Sequence, residues 1–72
     1  MQIIMRNAET DFEAMKIADA MLSCGADVFS VTFDGQRTHH GAMAPHSRFI
    51  VWAKVENREH ITRIDEAIDK NL

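Results

Sequence analysis

The sequence lacks most of the features that stabilise or target very small domains. Cys24 is its only cysteine, so no disulfide can form within the 72 residues. Small secreted domains are usually rich in disulfides, which argues against secretion. No run approaches the ~20 apolar residues that cross a bilayer, and the first residues do not form a signal-peptide pattern. We therefore expect a cytoplasmic protein that does not contact a membrane.

The chain also lacks an excess of positive charge. Its formal net charge of -3 at pH 7 disfavours a general nucleic-acid binder, because contacts to phosphates depend on Lys and Arg. The charges are unevenly distributed, since residues 36–55 contain Arg37, Arg48 and Lys54 but no acidic residue. The sequence thus predicts one cationic segment inside an otherwise acidic protein.

The length of the chain limits both the number of domains and the stability of the core. We expect residues 1–72 to form a single domain. A core of this size rarely supplies more than about 3–5 kcal/mol, and small natural domains add disulfides, a metal or a second subunit. An internal disulfide is excluded, which leaves a metal, oligomerisation or good packing alone, and of these we expect a homodimer.

The first half of the chain predicts a strand, a helix and a second strand. Gln2–Arg6 is short, apolar and partly β-branched, as strands are. Residues 11–24 have helical periodicity, with Asn7 or Thr10 as the N-cap and Gly25 at a left-handed C-cap. The predicted core stripe of this helix is Phe12, Met15, Ala18, Met21 and Leu22.

The remaining regular segments predict two alternating strands and a final helix. Asp27–Asp34 places Phe29, Val31 and Phe33 on one face, which we expect to be the core side. Arg48–Val55 alternates as well, and its second face carries Ile50, Trp52 and Lys54. Asn57 is the predicted N-cap of the last helix, whose core stripe is Ile61, Ile64, Ile68 and Leu72.

The element order β-α-β-β-α resembles a ferredoxin-like plait that stops before its fourth strand. It predicts an α+β two-layer sandwich, in which two helices cover one face of a three-stranded antiparallel sheet with the third strand in the middle. The first strand is then an edge, and the uncovered face exposes Ile50 and Trp52 beside either Ile3 and Met5 or Ile4. Unpaired edges and exposed apolar faces both favour association, so the dimer interface is predicted at one of the two.

The segment 36–47 contains Gly41 and Pro45 and has no periodicity, so it is predicted to be a long loop. Two functions fit it. The first is a non-enzymatic protein-interaction module (a regulator, inhibitor or accessory subunit) that binds another protein through this loop and the Trp52 face. The alternative is a binder of anions, phosphate or nucleic acid through the basic, histidine-rich segment 36–48. The candidate binding residues are Arg37, His39, His40, Met43, His46, Arg48 and Trp52.

Catalysis and cofactor binding find little support in the sequence. His39 and His40 are adjacent and would point apart on an extended loop, and their spacing to His46 matches no zinc pattern. Cys24 ends a helix and is expected to pack as a small apolar residue rather than act as a nucleophile. We therefore expect no enzymatic activity, no metal and no cofactor.

Overall fold

The computed structural model describes residues 1–35 and 48–71, which form two helices and one sheet. The elements in chain order are β1 (Gln2–Ala8), α1 (Asp11–Ser23), β2 (Asp27–Asp34), β3 (Arg48–Val55) and α2 (Arg58–Asn71). The three strands form an antiparallel sheet in the order β1-β3-β2. The predicted α+β class and the central position of the third strand are confirmed, while β1 extends two residues beyond its predicted end at Arg6.

Capping interactions determine where α1 begins. Thr10 is extended, with φ of -129° and ψ of 161°, and its Oγ1 accepts a hydrogen bond from the Glu13 backbone N–H at 3.1 Å. The Glu13 carboxylate in turn accepts the Glu9 backbone N–H at 3.0 Å, one residue before the position used in a capping box. Thr10, rather than Asn7, is therefore the N-cap.

α1 buries a different face from the one predicted. Its buried residues are Ala14, Ile17, Ala20 and Met21. Phe12, Met15 and Leu22 are 62%, 64% and 56% exposed, so the prediction is wrong for these three and confirmed for Met21. Apolar residues occur around most of this helix, and two stripes with spacings of three and four are available. The cap at Thr10 and the crossover from β1 to β2 set the rotation that selects one of them.

The core lies between the two helices and one face of the sheet. Ile17, Met21 and Ile64 from the helices are at most 1% exposed. They cluster with strand residues whose side chains lie on the same side of the sheet: Ile4, Ala8, Val51, Ala53 and Val55. Ile61 and Ile68 pack at the margin of this cluster, as predicted for α2, and Leu72 lies outside the described residues.

A bulge in β2 breaks the alternation that the sequence predicts. The pairing register with β3 shifts between Val28 and Ser30, which leaves Phe29 without a partner in the ladder. Phe33 packs with its centroid 5.2 Å from that of Phe49, whereas Phe29 lies 5.4 Å from the Nζ of Lys54. The prediction that Phe29 faces the core is therefore wrong, because one extra residue turns its side chain toward Lys54.

An ion pair joins the edge strand β1 to α2. Arg6 donates from Nε to Asp65 Oδ1 at 2.7 Å and from Nη2 to Oδ2 at 3.0 Å, a two-pronged geometry. The hydrogen bond to Asp65 raises the pKa of Arg6 above its ordinary value, and Coulombic attraction adds to this while desolvation opposes it. An inward-pointing charge on an edge strand also discourages the addition of another strand there.

The C-terminus of α1 ends in a Schellman motif that requires glycine. The Ala26 N–H donates to the Met21 carbonyl at 3.0 Å, and the Gly25 N–H donates to the Leu22 carbonyl at 3.2 Å. Gly25 has φ of +86°, and a Cβ built on it would lie 3.4 Å from Cε1 of His60 in α2. The turn thus sets the path of the chain into β2 and also brings α2 close to the end of α1.

We expect Gly25→Ala to lower the free energy of unfolding by about 1–2 kcal/mol, because alanine is strained at positive φ. Gly25→Asn is the matched variant, since asparagine tolerates this conformation better and should cost less. Urea denaturation followed by circular dichroism measures both. Equal stability of wild type and Gly25→Ala would contradict the strain argument.

We expect Asp65→Asn to lower the free energy of unfolding by no more than about 1 kcal/mol, since both side chains of the pair are partly exposed. Because the folded-state pKa of Arg6 is raised, titration of Arg6 leaves this stabilisation intact at neutral pH and removes it only in strong alkali. A double-mutant cycle with Arg6→Met, measured by thermal unfolding at low and high salt, isolates the pair. A coupling energy of zero at low salt would show that the pair contributes nothing.

Candidate interaction surface

Only two of the seven predicted binding residues fall in the part of the chain that the structure describes. Arg37, His39, His40, Met43 and His46 lie outside the described residues, so their grouping in a cationic loop stays a prediction. Arg48 and Trp52 both lie on β3. Residues four apart on a strand point to the same face, so these two share the face opposite the core.

Arg48 is engaged by an acidic neighbour on β2. Its Nη2 lies 3.2 Å from Oδ2 of Asp34, which is also its partner in the strand register. Both side chains are about half exposed, so the pair is weak in energy but occupies part of the guanidinium. This contact removes support from the alternative in which Arg48 is a free phosphate ligand.

Trp52 lies on the sheet in an orientation that a hydrogen bond stabilises. Its Nε1 donates to Thr32 Oγ1 at 3.0 Å, and Thr32 is the register partner of Ile50. The indole therefore extends toward the row that contains Ile50, which is only 8% exposed. The prediction that Ile50 is exposed is wrong, and Trp52 is half-buried rather than free in solvent.

The face of the sheet opposite the two described helices carries an apolar cluster that we call the open-face patch, defined as Ile3, Met5, Phe29 and Trp52. Ile3 and Met5 are 58% and 42% exposed, and Phe29 is 49% exposed. Ile3 is the register partner of Lys54, and Met5 is the register partner of Trp52. Each of these two β1 residues therefore lies beside its β3 partner on the same face of the sheet. The structure thus resolves an alternative that sequence left open, because Ile4 lies in the core and Ile3 and Met5 do not.

Charged residues bound the open-face patch in opposite-sign pairs. At one end, Lys54 and Asp27 are register partners, and at the other end Arg48 and Asp34 form an ion pair. Within the described part of the chain, Asp27 has no ion-pair partner, and the Nζ of Lys54 lies over the Phe29 ring. Each end therefore has one cation and one anion, and the centre between them is apolar.

A second exposed apolar surface lies on the opposite layer, between α1 and the edge strand β2. It is a shallow groove of about 230 Å³. Met15 and Val31, which are 64% and 51% exposed, line it together with Asp11, Ala14, Ala18 and Phe49. Because this groove faces away from the open-face patch, substitutions of its residues are suitable controls for substitutions in the patch.

No family model, curated protein or solved structure matches this chain. Function must therefore be argued from the surface itself. Neither α1 nor α2 is long and apolar enough to cross a membrane. Among residues 1–35 and 48–71, no group of three or more His, Cys, Asp or Glu side chains is arranged to hold a metal ion.

The open-face patch was only partly predictable. The apolar second face of β3 indicated Trp52 correctly, and its pairing with an apolar β1 indicated neighbours for it. Phe29 was missed because regular alternation assigns it to the core, and the sequence contains no glycine near the bulge that would have indicated it. The contact of the Lys54 ammonium with the Phe29 ring was missed for the same reason, because it requires Phe29 to lie on the same face as Lys54.

We expect Thr32→Val to release the indole of Trp52, because the hydrogen-bond acceptor is removed while the volume is kept. Trp52 is the only tryptophan, so its fluorescence reports this directly. Time-resolved anisotropy should show faster local rotation, and stability should fall by no more than about 1 kcal/mol. Thr32→Ser keeps the hydroxyl and should behave as the wild type; the same fast rotation in both variants would argue against the hydrogen bond.

Proposed function

We propose that this chain is a non-enzymatic protein-interaction module, a small regulator, inhibitor or accessory subunit, that binds through the open-face patch. The observation that supports this most directly is the exposure of Ile3, Met5 and Phe29 beside Trp52 on a sheet face that neither described helix covers. Large apolar side chains grouped on one flat surface and bounded by charged residues are typical of protein interfaces.

The ordered indole strengthens this proposal. Tryptophan is enriched among the residues that contribute most to binding energy, and such residues are usually held in a defined orientation by their neighbours. The hydrogen bond from Trp52 to Thr32 orients the ring before any partner arrives. Less side-chain entropy is then lost on binding, which favours affinity.

We further propose that the domain is a ferredoxin-like plait without its fourth strand. The order β1-β3-β2, the connection of β1 to β2 through α1 and the position of α2 after β3 support this. In that arrangement both edges of the sheet are available to a partner, but each has a feature that discourages strand addition. β1 has the inward-pointing Arg6, and β2 has the bulge at Phe29. These features favour the face over the edges as the binding surface.

The apolar character of the patch also separates this function from the anion-binding alternative. A surface that recognises phosphates needs several free cations, whereas Arg48 is paired with Asp34 and Lys54 lies over Phe29. Binding through the open-face patch should therefore depend weakly on salt, because burial of apolar area is not screened by ions.

The test is site-specific photo-crosslinking in the cells that make the protein. A benzophenone amino acid replaces Met5 in the open-face patch in one variant and Met15 in the α1–β2 groove in the other. We expect a discrete protein adduct from position 5 that persists at high salt, and a much weaker one from position 15. Met5 and Met15 are both exposed, so the accessibility of the photo-reactive group cannot explain a stronger adduct at position 5 than at position 15.

Two results would count against the proposal. Adducts of equal intensity from both positions would show that the open-face patch has no preference for protein. Crosslinks from position 5 to nucleic acid, lost as salt increases, would favour the anion-binding alternative. The identity of the adduct follows from mass spectrometry of the excised band, which also distinguishes a second copy of this chain from a different protein.

A further inference from the structure

We infer that the occupant of the open-face patch is a second copy of this chain, docked face to face about a two-fold axis. This inference rests on the proposed function of the patch as a protein-binding surface. It goes further by naming the partner and the arrangement of the two copies. The charges that bound the patch support this arrangement, and the area of the overlapping strands predicts that the association is weak.

The charge pattern of the open face is complementary to itself. Lys54 on β3 is the register partner of Asp27 on β2, and Arg48 is the register partner of Asp34. A two-fold axis that runs along the strands between β3 and β2 places each cation of one copy opposite the matching anion of the other. Like charges do not meet at either end, which removes the usual electrostatic barrier to self-association of a charged surface.

The lack of an ion-pair partner for Asp27 among the described residues also supports a second copy as the occupant. No ion pair links Lys54 to Asp27 within the described part of one copy, although the two are neighbours across the ladder. Asp27 thus remains available to a cation of a second copy. Sheets that stack face to face lie about 10 Å apart, a gap that a lysine and an aspartate extended toward each other can span.

The same axis brings the apolar residues of the two copies together. β1 lies on the outer side of β3, and Phe29 lies at the bulge of the edge strand β2. Rotation about the axis places Phe29 of the second copy over β3 of the first, on the side next to Ile3 and Met5 of β1. Each copy therefore contributes both sides of the contact, as an isologous interface requires.

The area of the face sets the expected affinity. With the axis between β3 and β2, only these two strands of each copy lie opposite each other. Two strands about 4.8 Å apart and eight residues long, at about 3.4 Å per residue, overlap over about 260 Å². Standard stable interfaces bury about 800 Å² on each partner. Because the overlap is only about a third of that area, we expect weak dimerisation, with a dissociation constant in the high micromolar range and a monomer–dimer equilibrium that changes with concentration.

The first experiment is sedimentation velocity of the full chain from about 1 to 500 μM, which brackets the micromolar affinities expected of a small interface. We expect the wild type to shift from monomer to dimer, and Met5→Lys to weaken dimerisation about tenfold or more because it places a charge in the apolar contact. Met15→Lys, in the α1–β2 groove, should leave the equilibrium unchanged. Circular dichroism of both variants confirms that they are folded.

The second experiment tests the charge arrangement and needs no other partner. Lys54→Glu and Asp27→Lys should each weaken self-association about tenfold, because each places like charges opposite one another twice in the dimer. Mixing the two single variants should restore dimerisation, since each then supplies the charge that the other needs. The double variant Lys54→Glu/Asp27→Lys should also dimerise on its own.

Three outcomes would overturn the inference. A monomer at every concentration would exclude the second copy as the occupant, and a discrete heterologous adduct from position 5 would then leave the proposed function standing. Loss of the dimer in Met15→Lys but not in Met5→Lys would move the interface to the α1–β2 groove. Failure of the mixed single variants to associate, with both folded, would reject the two-fold axis between β3 and β2.

Discussion

The packing of Ile17, Met21 and Ile64 against one face of the sheet is the contact on which the rest of this structure depends. These three side chains are almost completely inaccessible to solvent, and they meet Val51, Ala53 and Val55 of the central strand. With two helices and three strands, one layer of helices covers one face of the sheet. Ile3, Met5 and Trp52 alternate away from this contact and are left on the other face, where the bulge in β2 adds Phe29 to form the open-face patch.

The same contact determines how the local interactions combine. The capping of α1 by Thr10 and the Schellman turn at Gly25 fix both ends of the helix that supplies Ile17 and Met21. Arg6 reaches from the edge strand to Asp65 and holds α2 near β1. Each interaction alone is worth a few kcal/mol at most. Together they restrict the helices to the one rotation and position that bury the core.

The open face differs from the core in how its side chains are held. In the core, orientation follows from close packing of aliphatic residues. On the open face, the Trp52 indole is held by one hydrogen bond to Thr32, and the Lys54 ammonium lies over the Phe29 ring. Polar contacts of this kind keep apolar side chains ordered without covering them. The result is a preorganised apolar surface bounded by charges.

The sequence predicted the elements well because their signals are local. The alternation in Asp27–Asp34 and Arg48–Val55 predicted both strands with the observed bounds, and Thr10, Gly25 and Asn57 were recognised as helix-end residues. Period-two patterns, capping oxygens and positive-φ glycines depend on the neighbouring few residues.

The choice between faces depended on tertiary contacts instead. α1 has two apolar stripes of similar spacing, and only its docking on the sheet selected Ala14, Ile17 and Met21 over Phe12 and Met15. Phe29 was displaced from the core by a bulge that depends on pairing with β3. The sequence by itself therefore determined the elements and their order. The tertiary structure decided which side chains remain exposed, because exposure depends on what lies opposite each residue rather than on the residues beside it.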